Sequence, residues 1–160
     1  MRLLIAAVGR LKAGPERELF ERYVERASAA GRGVSLTPLG ITEVPESQAR
    51  RPADRMADEA EKLDAAVPTG ARRILLDAQG RNLTSDDFAA KLAYFRDQGA
   101  PVTAFLIGGA DGLGNKANSA ADLSISFGAA TFPHQIVRIL VAEQIYRAIT
   151  ILSGHPYHRA

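Results

Sequence analysis

Three short runs of this chain are apolar on both faces. Leu3 to Val8, the Ile74-Leu75-Leu76 centre of Arg72 to Asp77, and Val102 to Ile107 show almost none of the alternation expected of a strand with one wet side. Such strands must be covered above and below, and the segments between them read as helices able to do it. Pro15 opens a helical pattern through Leu19, Phe20, Tyr23, Val24 and Ala27 that stops before Gly31. A polar helix spans about Ala53 to Ala66, and Thr84-Ser85-Asp86-Asp87 spaces a capping residue and an acid ahead of Phe88, Leu92 and Phe95. Alternation of this kind predicts an α/β domain: a mainly parallel sheet with helices on both faces. Further strands are expected at Val34 to Leu39 and Leu123 to Ser126, with a loop over Gly40 to Pro52. Neither a repeat nor a linker divides the sequence, so residues 1–160 are expected to form a single domain.

The totals exclude little. At 160 residues with 46% hydrophobic content the chain can bury a core unaided. The absence of cysteine removes disulfides and thiolate metal sites and is compatible with a reducing, cytoplasmic setting. Twenty Lys and Arg against eighteen Asp and Glu leave a net charge of +2, which does not by itself announce nucleic acid. The segment from Thr131 onward has Arg138, Arg147 and Arg159 against Glu143 alone, so a local basic face stays open. Arg50, Arg51 and Arg55 cluster at a helix start, where they either solvate it or contact phosphate. Met1-Arg2 and the apolar run after it are too short for a signal peptide and read as a buried first strand.

From Pro133-His134 to about Leu152 runs a helix whose apolar residues cover nearly the whole circumference, from Ile136 and Val137 to Ile151 and Leu152. Proline suits a first helical turn, and Thr131 is placed to cap it. Arg138, Glu143, Gln144 and Arg147 make the helix too polar for a membrane span. A helix apolar all round must be covered all round, so a second copy of the chain is expected on its outer side, as a homodimer.

Ligands of open parallel sheets bind outside the carboxyl ends of the strands. Three such ends draw attention: Leu76-Asp77, Gly108-Gly109, and Phe127-Gly128-Ala129-Ala130-Thr131-Phe132. Glycine and small residues let a ligand approach the main chain, and the turns lack Lys or Arg for a triphosphate, which suits a neutral ring such as adenine. Gly109 to Lys116 fails as a P-loop because Asn115 follows the second glycine. Gly112-Leu113-Gly114-Asn115-Lys116-Ala117 fits a dinucleotide pattern but comes late in the chain, with no acid about 20 residues on. His155 and His158, with His134, lack the acid or third close ligand of a metal site, so none is expected. His134 and Arg138, one turn apart, form either a surface pair or an anion contact.

The blocks Leu106 to Gly112, Thr131 to Ala148 and His155-Pro156-Tyr157-His158-Arg159, together with Leu3 to Gly9, resemble the RlmH family of ribosomal RNA methyltransferases along the whole chain. The resemblance implies a SPOUT-class fold with a C-terminal trefoil knot, S-adenosylmethionine as cofactor, a homodimer, and methylation at N3 of a pseudouridine in 23S rRNA of the assembled 70S ribosome. It implies cofactor contacts at Leu76, Gly108 and Phe127, Gly128, Ala129, Ala130, Thr131 and Phe132. The catalytic, RNA-facing group is expected in the tail, at His155, Tyr157, His158 and Arg159, reaching a partner's pocket. Two other classes compete: a non-catalytic RNA-binding module and a Rossmann-type nucleotide enzyme.

Overall fold

The structure, a computed structural model, describes residues 1–159, apart from the side chain of Lys116. Strands β1 (Arg2–Val8), β2 (Leu39–Val44), β3 (Arg72–Asn82), β4 (Val102–Ile107) and β5 (Leu123–Ser126) form one sheet in the order β2-β1-β4-β3-β5. Every neighbouring pair is parallel. The helices are α1 (Pro15–Gly31), α2 (Pro52–Ala66), α3 (Ser85–Asp97), α4 (Gly114–Ala120) and α5 (His134–Ser153).

Successive residues of a strand face opposite sides, and each side here has its own core. Ile5, Ile74 and Phe105 pack with Phe20 of α1, Leu92 and Phe95 of α3, and Val141, Ile145 and Ile149 of α5. Ala6, Val8, Leu75 and Leu106 pack with Leu63 of α2 and with Val67 and Leu113. This double burial is why β4 is buried without a break, Thr103 included, and the α/β expectation holds. Truncating a side chain such as Ile145, which is fully buried, to alanine costs about 2–5 kcal/mol.

Local signals held where chemistry is local. The Thr84 hydroxyl accepts from the Asp87 amide at 3.1 Å and starts α3 as its spacing predicts. Pro15 and Pro52 stand at the first positions of α1 and α2, where a missing N–H is harmless.

Three expectations are corrected. The second strand is Leu39–Val44, within the stretch read as a loop, rather than Val34 to Leu39. Val34 closes a 3-10 turn, Ser35 is left-handed (φ 58°), and Leu36 enters the core while its amide donates to Gly31. The apolar run is therefore a turn with a core plug, and β2 begins only after Pro38. Next, β3 does not end at a turn by Gly80. It breaks register after Leu76 and pairs again with β5 through Arg81 and Asn82. Gly80 lies so close to β5 that a Cβ there would sit 2.5 Å from the Ile125 carbonyl carbon. Finally, Thr131 does not cap α5: the chain turns at Pro133, whose carbonyl accepts from the Val137 amide at 3.1 Å.

Candidate functional site

Leu76 is the register partner of both Ile107 of β4 and Ile125 of β5. Leu76, at the register break inside β3, therefore lies beside the carboxyl ends of β4 and β5, where Gly108 and Phe127 open the two neighbouring connections. These strand ends, picked from glycine content and the parallel-sheet rule, converge.

Each connection is held by its own contacts. Asp77 accepts from the Gln79 amide at 2.8 Å and from the Asn118 side chain at 2.8 Å, which ties the turn after Leu76 to α4. Gly108 is buried against Leu113, whose Cγ would lie 2.8 Å from a Cβ at that position. The loop beyond it is fastened to α2 by Arg55 and faced, one turn on, by Glu59. Arg55 donates to both Asp111 oxygens at 2.6 and 3.1 Å, and that hydrogen bond holds the Asp111 carboxyl below its ordinary range. Glu59, 4% exposed, accepts from the Ser47 amide at 3.0 Å, while its Oε2, with no partner among the described residues, points at Gly109. In the third connection the Ser126 hydroxyl donates to the Gly128 carbonyl and accepts from its amide. Gly128 has φ 137°, and a side chain there would meet open space. Ala129, Ala130, Thr131 and Phe132 are exposed. Among the described residues, no hydrogen bond within the chain takes up their main-chain amides. Free amides, an open glycine and a half-buried leucine fit the adenosine part of S-adenosylmethionine: an apolar wall for the ring, main-chain donors for its polar edge.

The β1 end of the same edge is closed. Arg138 of α5, 1% exposed, donates to the carbonyls of Val8 and Gly9, both at 2.7 Å, and lies 3.4 Å from Glu43. Burial lowers its pKa, with Glu43 and Glu46 opposing that. Arg138 therefore serves neither the anion contact with His134 nor the basic face. Arg147 is likewise paired, to Glu143 at 2.5 Å. The cluster at the start of α2 is mostly internal too: Arg51 pairs with Asp54 at 2.8 Å and Arg55 with Asp111.

The tail folds back along α5. The Tyr157 hydroxyl donates to Glu143 at 3.1 Å, and its ring lies 4.7 Å from that of Tyr146 and 4.8 Å from the Arg147 guanidinium. Burial, then the contacts with Tyr23 and Glu143, push the Tyr157 phenol well above its ordinary pKa. His158 sits between Arg147, 3.3 Å from Nδ1, and Asp86, 3.5 Å from Nε2. A guanidinium only donates, so Nδ1 is the acceptor, while Nε2 has no hydrogen-bond partner among the described residues. His155 Nδ1 accepts from the Tyr157 amide at 3.2 Å, and Arg159 is exposed. Within one chain the tail thus reaches α3 and α5. It also enlists Glu143, Arg147 and Asp86, which the sequence alone did not mark as its partners; only the i,i+4 spacing of Glu143 and Arg147 hinted at a pair. Among the described residues no group of three or more His, Cys, Asp or Glu is arranged to hold a metal.

The glycine pattern Gly112 to Ala117 follows β4 rather than β1, and the strand order is not that of a Rossmann fold. Residues 1–158 match the family described as predicted SPOUT methyltransferase, which fixes the class. The chain is 58% identical over 160 residues to ribosomal RNA large subunit methyltransferase H of Xanthobacter autotrophicus, covering 100% of each. To the protein of that name from Rhodopseudomonas palustris it is 56% identical over 160 residues, again covering 100% of each. The chain belongs to this methyltransferase H family of SPOUT enzymes. Its fold is similar to that of a probable methylase family protein from Haemophilus influenzae Rd KW20, with TM-score 0.52 and 14% identity over 99% of this chain and 70% of that one.

Proposed function

We propose that this protein transfers a methyl group from S-adenosylmethionine to N3 of a pseudouridine in 23S ribosomal RNA of the assembled 70S ribosome. In this reading residues 1–160 are one knotted domain that works in the cytoplasm as a homodimer. One observation carries it: in a chain whose relatives are named for large-subunit rRNA methylation, Leu76, Gly108 and the 127–132 segment form a contiguous row with unspent main-chain amides.

The sulfonium of S-adenosylmethionine supplies an already activated methyl group when bound. What the chain must do is align it with the target nitrogen, keep water out and dispose of one proton. Leu76 would wall the adenine, Gly108 lets Leu113 and the Gly112 main chain pack against the end of β4, and the amides from Ala129 to Phe132 would read the polar edge. In the tail Tyr157 stacks on RNA and Arg159 contacts phosphate. Tyr157, a phenol that is neutral at pH 7 at its ordinary pKa of about 10 and that donates to Glu143, does not take the N3 proton. His158 does so only once Arg147 has left Nδ1; His155 helps to hold the tail in shape. A second copy covers the half-exposed apolar side of α5, Ile136, Ile139 and Leu140 among it, and brings its own tail to the site. No helix among the described residues is long and apolar enough to cross a membrane.

The test is labelled S-adenosylmethionine with purified protein and pseudouridine-containing 70S ribosomes. Label in 23S rRNA at N3 of a pseudouridine is the expected result, and its absence overturns the reading. Light scattering at micromolar concentration checks the dimer. Deleting Tyr157 onward is expected to abolish transfer while calorimetry still detects cofactor binding.

A further inference from the structure

A cavity of about 260 Å³ opens next to the cofactor segment, sharing Phe127 and Gly128 with it but lined by neither Leu76 nor Gly108. Its other walls include Asn82, Ser85, Phe88 and Gln144. We propose that this cavity is the subsite for the target base, receiving a pyrimidine turned out of the RNA, with the Asn82 and Gln144 amides reading its edge. The proposal rests on the function inferred above and adds where the base goes and what selects it.

Position is the first argument. One wall is the segment assigned to the methyl donor. On the other, Ser85 and Gln144 are chain neighbours of Asp86, which lies 3.5 Å from His158, and of Glu143, which accepts from the Tyr157 hydroxyl. The cavity therefore lies between the segment assigned to the donor and the helix residues on which this chain's own tail rests.

Chemistry is the second. The six residues above supply two phenylalanine rings, two amides and a hydroxyl, and none is charged. A phosphate or a cation finds no counter-charge among them, whereas a neutral planar ring with carbonyls and N–H groups finds faces and an edge. A base can be read this way only if it leaves its stack, as bases acted on by modifying enzymes do.

The third argument is organisation of the amides. Ser85 donates to Gln144 Oε1 at 2.8 Å, and Gln144 Nε2 donates to Glu143 at 2.7 Å. These bonds fix which way the Gln144 amide points, leaving one N–H and one oxygen lone pair for a ligand. Asn82 is held by main-chain pairing with Ser126, yet among the described residues its side chain bonds to nothing. An amide offers a donor beside an acceptor, the complement of a pyrimidine's carbonyl beside N–H. Pseudouridine presents N1–H, which uridine lacks, and an amide oxygen here can accept it.

Asn82→Ala, Gln144→Ala and the cavity-filling Ser85→Phe test this. Each is assayed for S-adenosylmethionine affinity by calorimetry, and for kcat/KM on ribosomes with pseudouridine or with uridine at the target position. Expected is a loss of about tenfold or more in kcat/KM with pseudouridine for the two alanine variants, a smaller preference for pseudouridine over uridine, and cofactor Kd within about twofold of the parent. Ser85→Phe should stop transfer and still bind cofactor. Unchanged kcat/KM in Asn82→Ala and Gln144→Ala, with the parent active, overturns the subsite alone. Weakened cofactor binding in those variants also overturns it, by placing adenine in the cavity. A parent protein that methylates no ribosome overturns the functional reading and this inference together.

Discussion

The carboxyl ends of β1 and β2 and those of β4, β3 and β5 lie along one edge of one sheet, and the chain finishes them in opposite ways. At β1 a buried guanidinium occupies the two last carbonyls and faces a carboxylate from β2. At β4 and β5 the loops contain glycines, and after β5 a run of amides remains unspent. The order of strands reverses between β1 and β4, the place where an open parallel sheet usually offers its crevice. Arg138 fills that place with the chain's own side chain and leaves the neighbouring ends for a ligand. Ends of equal geometry thus become structure or site according to what is inserted between them.

The contrast can be broken from the closed side first. Arg138→Ala leaves two carbonyls without their donor in a dry place and should cost about 3 kcal/mol in urea unfolding. Arg138→Lys recovers only part, because an ammonium cannot reproduce the fork that reaches both oxygens. On the open side stability should matter less and binding more. Gly109→Ala drives a Cβ to 2.8 Å from the Glu59 carboxylate, the movable end of a side chain, and should cost about 1–2 kcal/mol while weakening S-adenosylmethionine binding several-fold by calorimetry. Asp111→Asn, which cuts only the tether to Arg55, is expected to leave the thermal midpoint nearly unchanged and lower cofactor affinity slightly. The pH dependence of that tether has a defined sign. Asp111 is depressed in the folded protein relative to about 3.9 unfolded, so its contribution is complete above that value and disappears as pH falls through the lower folded one. Cofactor affinity should accordingly show no inflection from this pair between about pH 5 and pH 8, which a titration series checks.

How much was legible follows from the range of the forces. β1, β4 and the Thr84 cap are written in neighbouring residues, and the ends at Gly108 and Phe127 follow from glycine content plus one rule about parallel sheets, whereas Leu76 lies inside β3. β2 was misread because apolarity was taken as strand, whereas Leu36 serves the core from a turn and the true edge strand is only partly buried, with Ile41 exposed. Arg138 looked like a surface cation since its partners are 130 and 129 residues upstream. The cavity was illegible for the same reason: Ser85 and Gln144 meet across 59 positions, and nothing local announces it.

The Arg138 contact also orders events during synthesis. β1 and α1 leave the translating ribosome early, yet the donor for Val8 and Gly9 and the helix that shelters α1 are made last. An unfinished polypeptide thus carries bare carbonyls at the end of β1 and an uncovered apolar face on α1.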